Sequence, residues 1–434
     1  MQRVCLALPT NRPCAAAVAD IAEEAAYAAA HFDVEVHLLV LDTADSAGHA
    51  ENASAVGALA PAAGVVVHHL DTGQQRDFLR RVIHRAGAAE PDLLLDLMLP
   101  DTVSYGACTN RVFLVAAALG CASVHRRDSD STYQLLDGRK VFPIHHELRS
   151  LGRPAGEAAA GVTRSELDPA DAAKPVALVG GSFIGELSVD IGGINTLDPA
   201  VYHEVVSLWA PPIWSEEEKS ALVEASFTGG GTEPFTVDEA VLGAPDIRRV
   251  DMCNLGLDHR VYERLPVPPA PDTIGSDYFL LHAVLDSGLP GVVHNRHIVN
   301  HYTPERRTGP GFTAYQLRFA KFLLSMLYLH PVYGEMIALG GELLDEQHRL
   351  RVEPVLDSVR RSAAWDRAAN VHRLDVLDRC YRRLGGTYAE FADHLAPRRQ
   401  HLLDEAQADA ERFALLIEGW GALVAAARAQ RVAG

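Results

Sequence analysis

The first 130 residues alternate short apolar runs with stretches of helical period, and that alternation restricts the fold more than anything else in the chain. Val4 to Leu8 reads as a strand ending in the turn Pro9-Thr10-Asn11-Arg12-Pro13. An Ala-rich helix pattern follows to about His31, then a second strand over Val34 to Leu41. Gly64 to Leu70 supplies a third strand, and Gln74 to Gly87 a helix with Phe78, Val82 and Ile83 on one face. Asp92 to Met98 suits either a short helix or a strand, and a helix pattern from Arg111 to Leu119 leads into a strand from Cys121 to Arg127. Strands separated by helical crossovers pair in parallel, so we expect an α/β fold with a mostly parallel mixed sheet flanked by helices. Leu151 to Pro175, rich in Gly, Ala, Pro and acids, reads as a long surface loop, and Phe227 to Pro234 as a lid or a plain surface loop. After Thr313 the pattern turns helical over Tyr315 to Leu329, Val332 to Leu344 and most of Arg351 to Ala433. The expected division is a catalytic unit over 1–311 and a C-terminal helical region over 312–434.

Ligands of open α/β sheets bind beyond the carboxyl ends of the strands. Three such ends carry polar clusters here: Thr10-Asn11-Arg12, Asp42 to Ser46, and Asp128 to Ser131. Asp128-Ser129-Asp130 is the most specific of them. Two carboxylates that leave a sheet together can share one hard divalent cation, whose open positions accept phosphate oxygens. On its own the tripeptide is weak evidence, since most such pairs are solvated loop acids.

Charge excludes some partners. With 57 acidic against 39 basic residues the formal charge is −18, which argues against non-specific nucleic-acid binding and against a polybasic membrane anchor. No apolar run reaches the ~18–20 residues of a membrane span, and Pro9 interrupts the amino-terminal run too early for a secretory signal. Cysteines at 5, 14, 108, 121, 253 and 380 form no C-x-x-C pair and read as buried thiols of a reducing compartment. These features predict a cytoplasmic protein.

The order Leu8-Pro9-Thr10-Asn11-Arg12, Asp42, Asn110-Arg111 opening a helix, then Asp128-x-Asp130 resembles the nucleotide-sugar-dependent glycosyltransferases of the GT-A fold. Within them it is family-2-like and of the actinobacterial small-metabolite type. Gly275-Ser276-Asp277-Tyr278 before a helix is similar to their "G-E-D" segment, with Ser276 where Glu is usual. Gly288-Leu289-Pro290-Gly291, a strand and then His301 resembles their carboxyl-terminal metal-binding histidine, with His294 and His297 as rival positions. The likeness covers roughly residues 1 to 305.

The resemblance implies transfer of a sugar from a nucleotide-diphosphate donor to the hydroxyl of a small soluble acceptor, such as a natural product of the aminoglycoside kind. It implies manganese or magnesium held by Asp128, Asp130 and His301. Pro9, Thr10, Arg12, Asp42, Asn110, Arg111, Asp128 and Arg306 would meet the base, ribose or diphosphate. Asp277 would take the proton from the acceptor hydroxyl; its alternative is an ordinary helix N-cap. A catalytically silent GT-A-like scaffold and a sugar nucleotidyltransferase are the competing readings. The C-terminal helices would cap the catalytic unit, build the acceptor site or form a homodimer interface.

Overall fold

A computed structural model describes residues 1–185, 191–227, 229–231, 235–300 and 309–430. The main sheet has nine strands in the order Val65–Leu70, Val34–Asp42, Gln2–Thr10, Ser123–Arg126, Leu255–Asp258, Leu178–Gly180, Gly291–His294, Ala240–Gly243 and Arg164–Ser165. The first four are parallel; Leu255–Asp258 runs antiparallel to both of its neighbours. This is the expected α/β architecture, a mostly parallel mixed sheet flanked by helices with a helical region at the carboxyl end. The centre strands are buried on both faces, as the continuous apolar runs Val4-Cys5-Leu6-Ala7-Leu8 and Leu38 to Leu41 require.

Register brings the polar strand ends together. Thr10 pairs with Asp42, and Ala7 with Arg126, so the chain after all three parallel strands emerges at one edge. A second, three-stranded sheet begins immediately after Asp130. It joins Ser131–Tyr133 to Ile298–Asn300 and Phe183–Gly185, with Asn300 opposite Ser131. Asp128-Ser129-Asp130 is therefore tethered at both ends.

Several boundaries differ from the sequence pattern. Helix Tyr105–Leu119 starts six residues earlier than expected, because Ser104 accepts from the Ala107 amide and caps it. Asn110 and Arg111 consequently lie inside that helix rather than opening it. Asp92 to Met98 belongs to helix Pro91–Met98. The loop expected over Leu151 to Pro175 carries short helical turns and the edge strand Arg164–Ser165. Helix Ser46–Gly57 has no counterpart in the pattern; its Ala, Gly, Ser and His residues make no apolar stripe, and Asp45 caps it through the Gly48 amide. Pro331 does not divide the C-terminal region, since one helix runs from Gly309 to Leu339. Burial of Tyr328, Val332 and Tyr333 holds that helix together despite the missing backbone donor. Length and composition would allow this helix to cross a membrane, against the expectation that no segment has that length; half of its most apolar window is buried inside the protein. Four further helices, Val352–Ala363, Ala368–Leu384, Gly386–Leu395 and Arg399–Arg428, complete the region. Helix Arg399–Arg428 packs against helices Thr72–Ala86 and Tyr105–Leu119 of the sheet layer, and Trp420 donates to the Tyr262 carbonyl at 3.0 Å. Residues on both sides of position 311 thus share one apolar core.

Candidate functional site

Strand Ser123–Arg126 and the residues that follow it organise the site, and the period of two divides their labour. His125 and Arg127 face a buried polar network. Arg127 donates to both carboxylate oxygens of Glu24 (2.7 and 3.0 Å) and to Glu147 (3.1 Å), and His125 pairs with Glu147 at 2.6 Å. Tyr133 donates to Glu24 at 2.6 Å and the Ile144 amide does so at 3.0 Å. Two carboxylates against one guanidinium, all dry, anchor the strand end firmly; loss of one partner would strand a buried charge. Burial raises the carboxyl of Glu147, but Arg127 and His125 outweigh it and hold it down at about 2.

Arg126 and Asp128 project the other way, into a cleft. The Arg126 guanidinium is buried and lies 3.0 Å from the Asp128 carboxylate, while its Nε has no hydrogen-bond partner among the described residues. Burial disfavours its charge, yet Asp128, Cys108, Cys253 and Asp277 around it more than restore it. Asp130 faces Arg12 at 3.7 Å. Both acids are partly exposed to the cleft.

Arg126, Asp128, Asp130 and Tyr105 line two adjoining cavities. The larger, about 780 Å³, is bounded by the loop Pro9 to Arg12, by residues 99–105, and by Arg76, Arg111 and Arg318. Among the described residues, five guanidinium groups border it. The smaller, about 140 Å³, contains Asp251, Ser276 and Asp277 beside the rings of Phe227, Tyr278 and Phe322. Trp209 backs that aromatic wall, with ring centroids 5.3 Å from Phe227 and 5.1 Å from Tyr278.

Asp277 stands at the first turn of helix Tyr278–Asp286 in helical conformation and makes no capping hydrogen bond. Burial, the neighbouring Asp251 carboxylate and Asp128 push its carboxyl up to about 7, against the opposing pull of Arg126. Such a group exchanges a proton near neutrality, as a general base must. Gly275 makes the placement possible. Its φ is +74°, and a Cβ there would lie 2.5 Å from the Phe322 ring.

The other expected site residues divide into two groups. Pro9, Thr10, Arg12, Arg111, Asp128 and Asp130 border the larger cavity. Arg111 is already engaged there, donating to Gln75 Oε1 at 2.9 Å and to the Met98 carbonyl at 2.5 Å. Asn110 is fully buried and satisfies the Val267 backbone at both ends, at 2.8 and 2.9 Å, so it braces a loop and does not line the cavity. The Asp42 carboxylate is fully buried as well. It accepts from the Ala44 amide, His49, His69 and Asn52 at 2.9 to 3.1 Å, while Leu41 and Thr43 form the cavity wall on either side. Burial raises this carboxyl, but those donors hold it at about 2. His301 and Arg306 lie outside the described residues. Of the rivals, His297 accepts from the Ser182 amide at 3.0 Å, and burial drives it down to about 4; His294 is buried against His146.

Sequence reasoning missed Arg126, Asp251, Arg76 and Arg318. The spacing of Arg126 and Asp128, two apart at a strand end, was the available signal for the first. The others come from distant segments.

Among solved structures, a mannosyltransferase from Pyrobaculum calidifontis in complex with GDP-Man and Mn2+ aligns with 12% identity over 96% of this chain and 86% of its own, at a TM-score of 0.35. A mycobacterial protein aligns with 13% identity over 75% of this chain and 74% of its own, also at 0.35. At such scores the shared outline is too loose to carry residues or chemistry across. No curated protein matches the sequence. One family model spans almost the whole length, residues 2–434, and the chain belongs to that family, a family of unknown function (DUF6271).

Proposed function

We propose that the protein is a metal-assisted glycosyltransferase that moves a sugar from a nucleoside-diphosphate donor to a hydroxyl of a small acceptor. One observation carries the reading: Arg126 and Asp128 sit where a wide, guanidinium-bordered cavity meets a small aromatic and acidic one that holds a carboxyl poised near pH 7. The wide cavity suits a nucleotide, with Thr10 and Arg12 beside the base and ribose and with Arg76, Arg126 and Arg318 around the diphosphate. Asp42 and Asn110 serve that cavity as framework.

The donor set at Asp128 and Asp130 fits a hard cation such as manganese or magnesium, because both are carboxylates and both reach the cleft beside compensating guanidinium groups. When bound, such an ion would offset the charge of the departing nucleoside diphosphate. Arg126 supports the same charge from a dry position, where its field is strong. The acceptor sugar or alcohol would stack on the wall of Phe227 and Tyr278, with its hydroxyl directed at Asp277. Asp277 removes the proton as that oxygen attacks the anomeric carbon, a single displacement with inversion.

The test is a thermal-shift screen of UDP, GDP, ADP, CMP and dTDP, each with and without manganese. One diphosphate should stabilise the fold in a metal-dependent way, since ligand binding to the native state alone raises its stability. No shift with any nucleotide would overturn the reading and favour a silent scaffold.

A further inference from the structure

The end of strand Val34–Asp42 carries a second group of ligand-type side chains that the proposed chemistry does not use. We propose that Asp42, His49 and His69 bind one zinc-class divalent ion, on different residues from the Asp128/Asp130 pair. Their three ligand atoms all lie within 4.8 Å of one another. His49 Nδ1 and His69 Nε2 both converge on the same oxygen, Asp42 Oδ2, at 3.1 and 3.0 Å. Tetrahedral zinc with bonds of about 2.0–2.1 Å separates its donor atoms by roughly 3.3 Å. The two histidine–aspartate edges are therefore already close to that spacing, and an ion would take the place of two imidazole hydrogens.

The surroundings fit this use. Asn52 Nδ2 holds Oδ2 at 3.1 Å and the Ala44 amide holds Oδ1 at 2.9 Å, outer contacts of the kind that orient a ligating carboxylate. Asp42 is fully buried, whereas 36% of the His49 side chain is exposed, which leaves an entry path and an open coordination position. Two imidazoles and one carboxylate favour zinc and its neighbours over magnesium. The three ligands come from a strand end, from the first turn of helix Ser46–Gly57 and from strand Val65–Leu70. Asn52 extends the linkage to the Arg12 carbonyl at 3.0 Å and the Cys14 amide at 2.8 Å. The ion would thereby clamp the segment that supplies Thr10 and Arg12 to the cleft.

The experiment is calorimetric titration of the chelator-stripped full chain with zinc chloride, with cobalt(II) absorption on the wild type as a second readout. One ion per chain is expected, with a zinc-dependent rise in Tm. Affinity should fall at least tenfold in His49→Ala and His69→Gln, and should be retained in Asp130→Ala. Cobalt should give the intense visible bands of four-coordination. Unchanged zinc affinity in a folded His49→Ala variant, or only the weak bands of six-coordinate cobalt in the wild type, would overturn the site. The result is independent of nucleotide binding, so it stands or falls separately from the transferase reading.

Discussion

Replacing Asp277 by Asn tests the proposed chemistry most sharply, because under that reading this one carboxyl carries both a rate and a stability effect. Raising it from its ordinary value of 3.8 to about 7 means that ionising it inside the fold costs about 4 kcal/mol at the upper limit. The sign follows from linkage: a folded-state value above the unfolded one favours the native state below about pH 4, and that advantage is lost as pH rises to 7. Asn keeps the shape without the charge. The variant should therefore melt at a higher temperature than the wild type at pH 8, with the gap closing as pH falls through 7 toward 4. Transfer should slow by ~10²-fold or more, the scale of losing a positioned base, while diphosphate affinity stays the same. In the wild type the transfer rate should climb with pH through a midpoint near 7 and level off about one unit above it. The assays are donor-to-acceptor transfer followed by product chromatography, and calorimetric melting across the same pH range. Normal transfer by the variant, or a stability gap that ignores pH, would refute the assignment of Asp277 as a base held near neutrality by burial.

Asp130→Ala should abolish the metal-dependent part of nucleotide stabilisation, read by thermal shift with and without manganese; an undiminished manganese effect would remove Asp130 from the metal site. Arg126→Gln should weaken diphosphate binding by about tenfold or more, the worth of a hydrogen bond to a charged group, and should move the rising limb of the pH–rate profile upward because Arg126 opposes the shift of Asp277. Asn110→Ala should cost roughly 2–4 kcal/mol in urea unfolding by orphaning the Val267 amide and carbonyl, with nucleotide affinity intact in the folded protein. Weaker binding without loss of stability would return Asn110 to the ligand site.

Legibility of the site followed sequence distance. Thr10-Asn11-Arg12 and Asp128-x-Asp130 were readable because a strand end is a local feature, and parallel pairing puts such ends at one edge. Asp42 marked the right place but serves a different purpose: its neighbours His49, Asn52 and His69 saturate it, and two of these come from a helix without any apolar stripe. Asn110 misled for a related reason. A polar residue expected at an exposed helix start is instead inside the helix, because Ser104 begins it a turn and a half earlier. The two helical segments expected over Tyr315 to Leu329 and Val332 to Leu344 are joined through Pro331 in one helix to Leu339, since packing of Tyr328 and Tyr333 outweighs one lost backbone bond.

The sequence by itself determined the α/β class, the covered parallel strands and the strand ends that gather polar groups, because apolar periodicity and short connections are local properties of the chain. Only the tertiary structure decided which of those groups meet and how deeply each is buried. Asp251 and Asp277 meet across 26 residues of chain, Arg126 reaches both cavities, and Arg318 arrives from the helical region. Proximity of this kind sets burial and mutual charge, and those two quantities leave Asp277 near 7 while the carboxyl of Asp42 is held near 2.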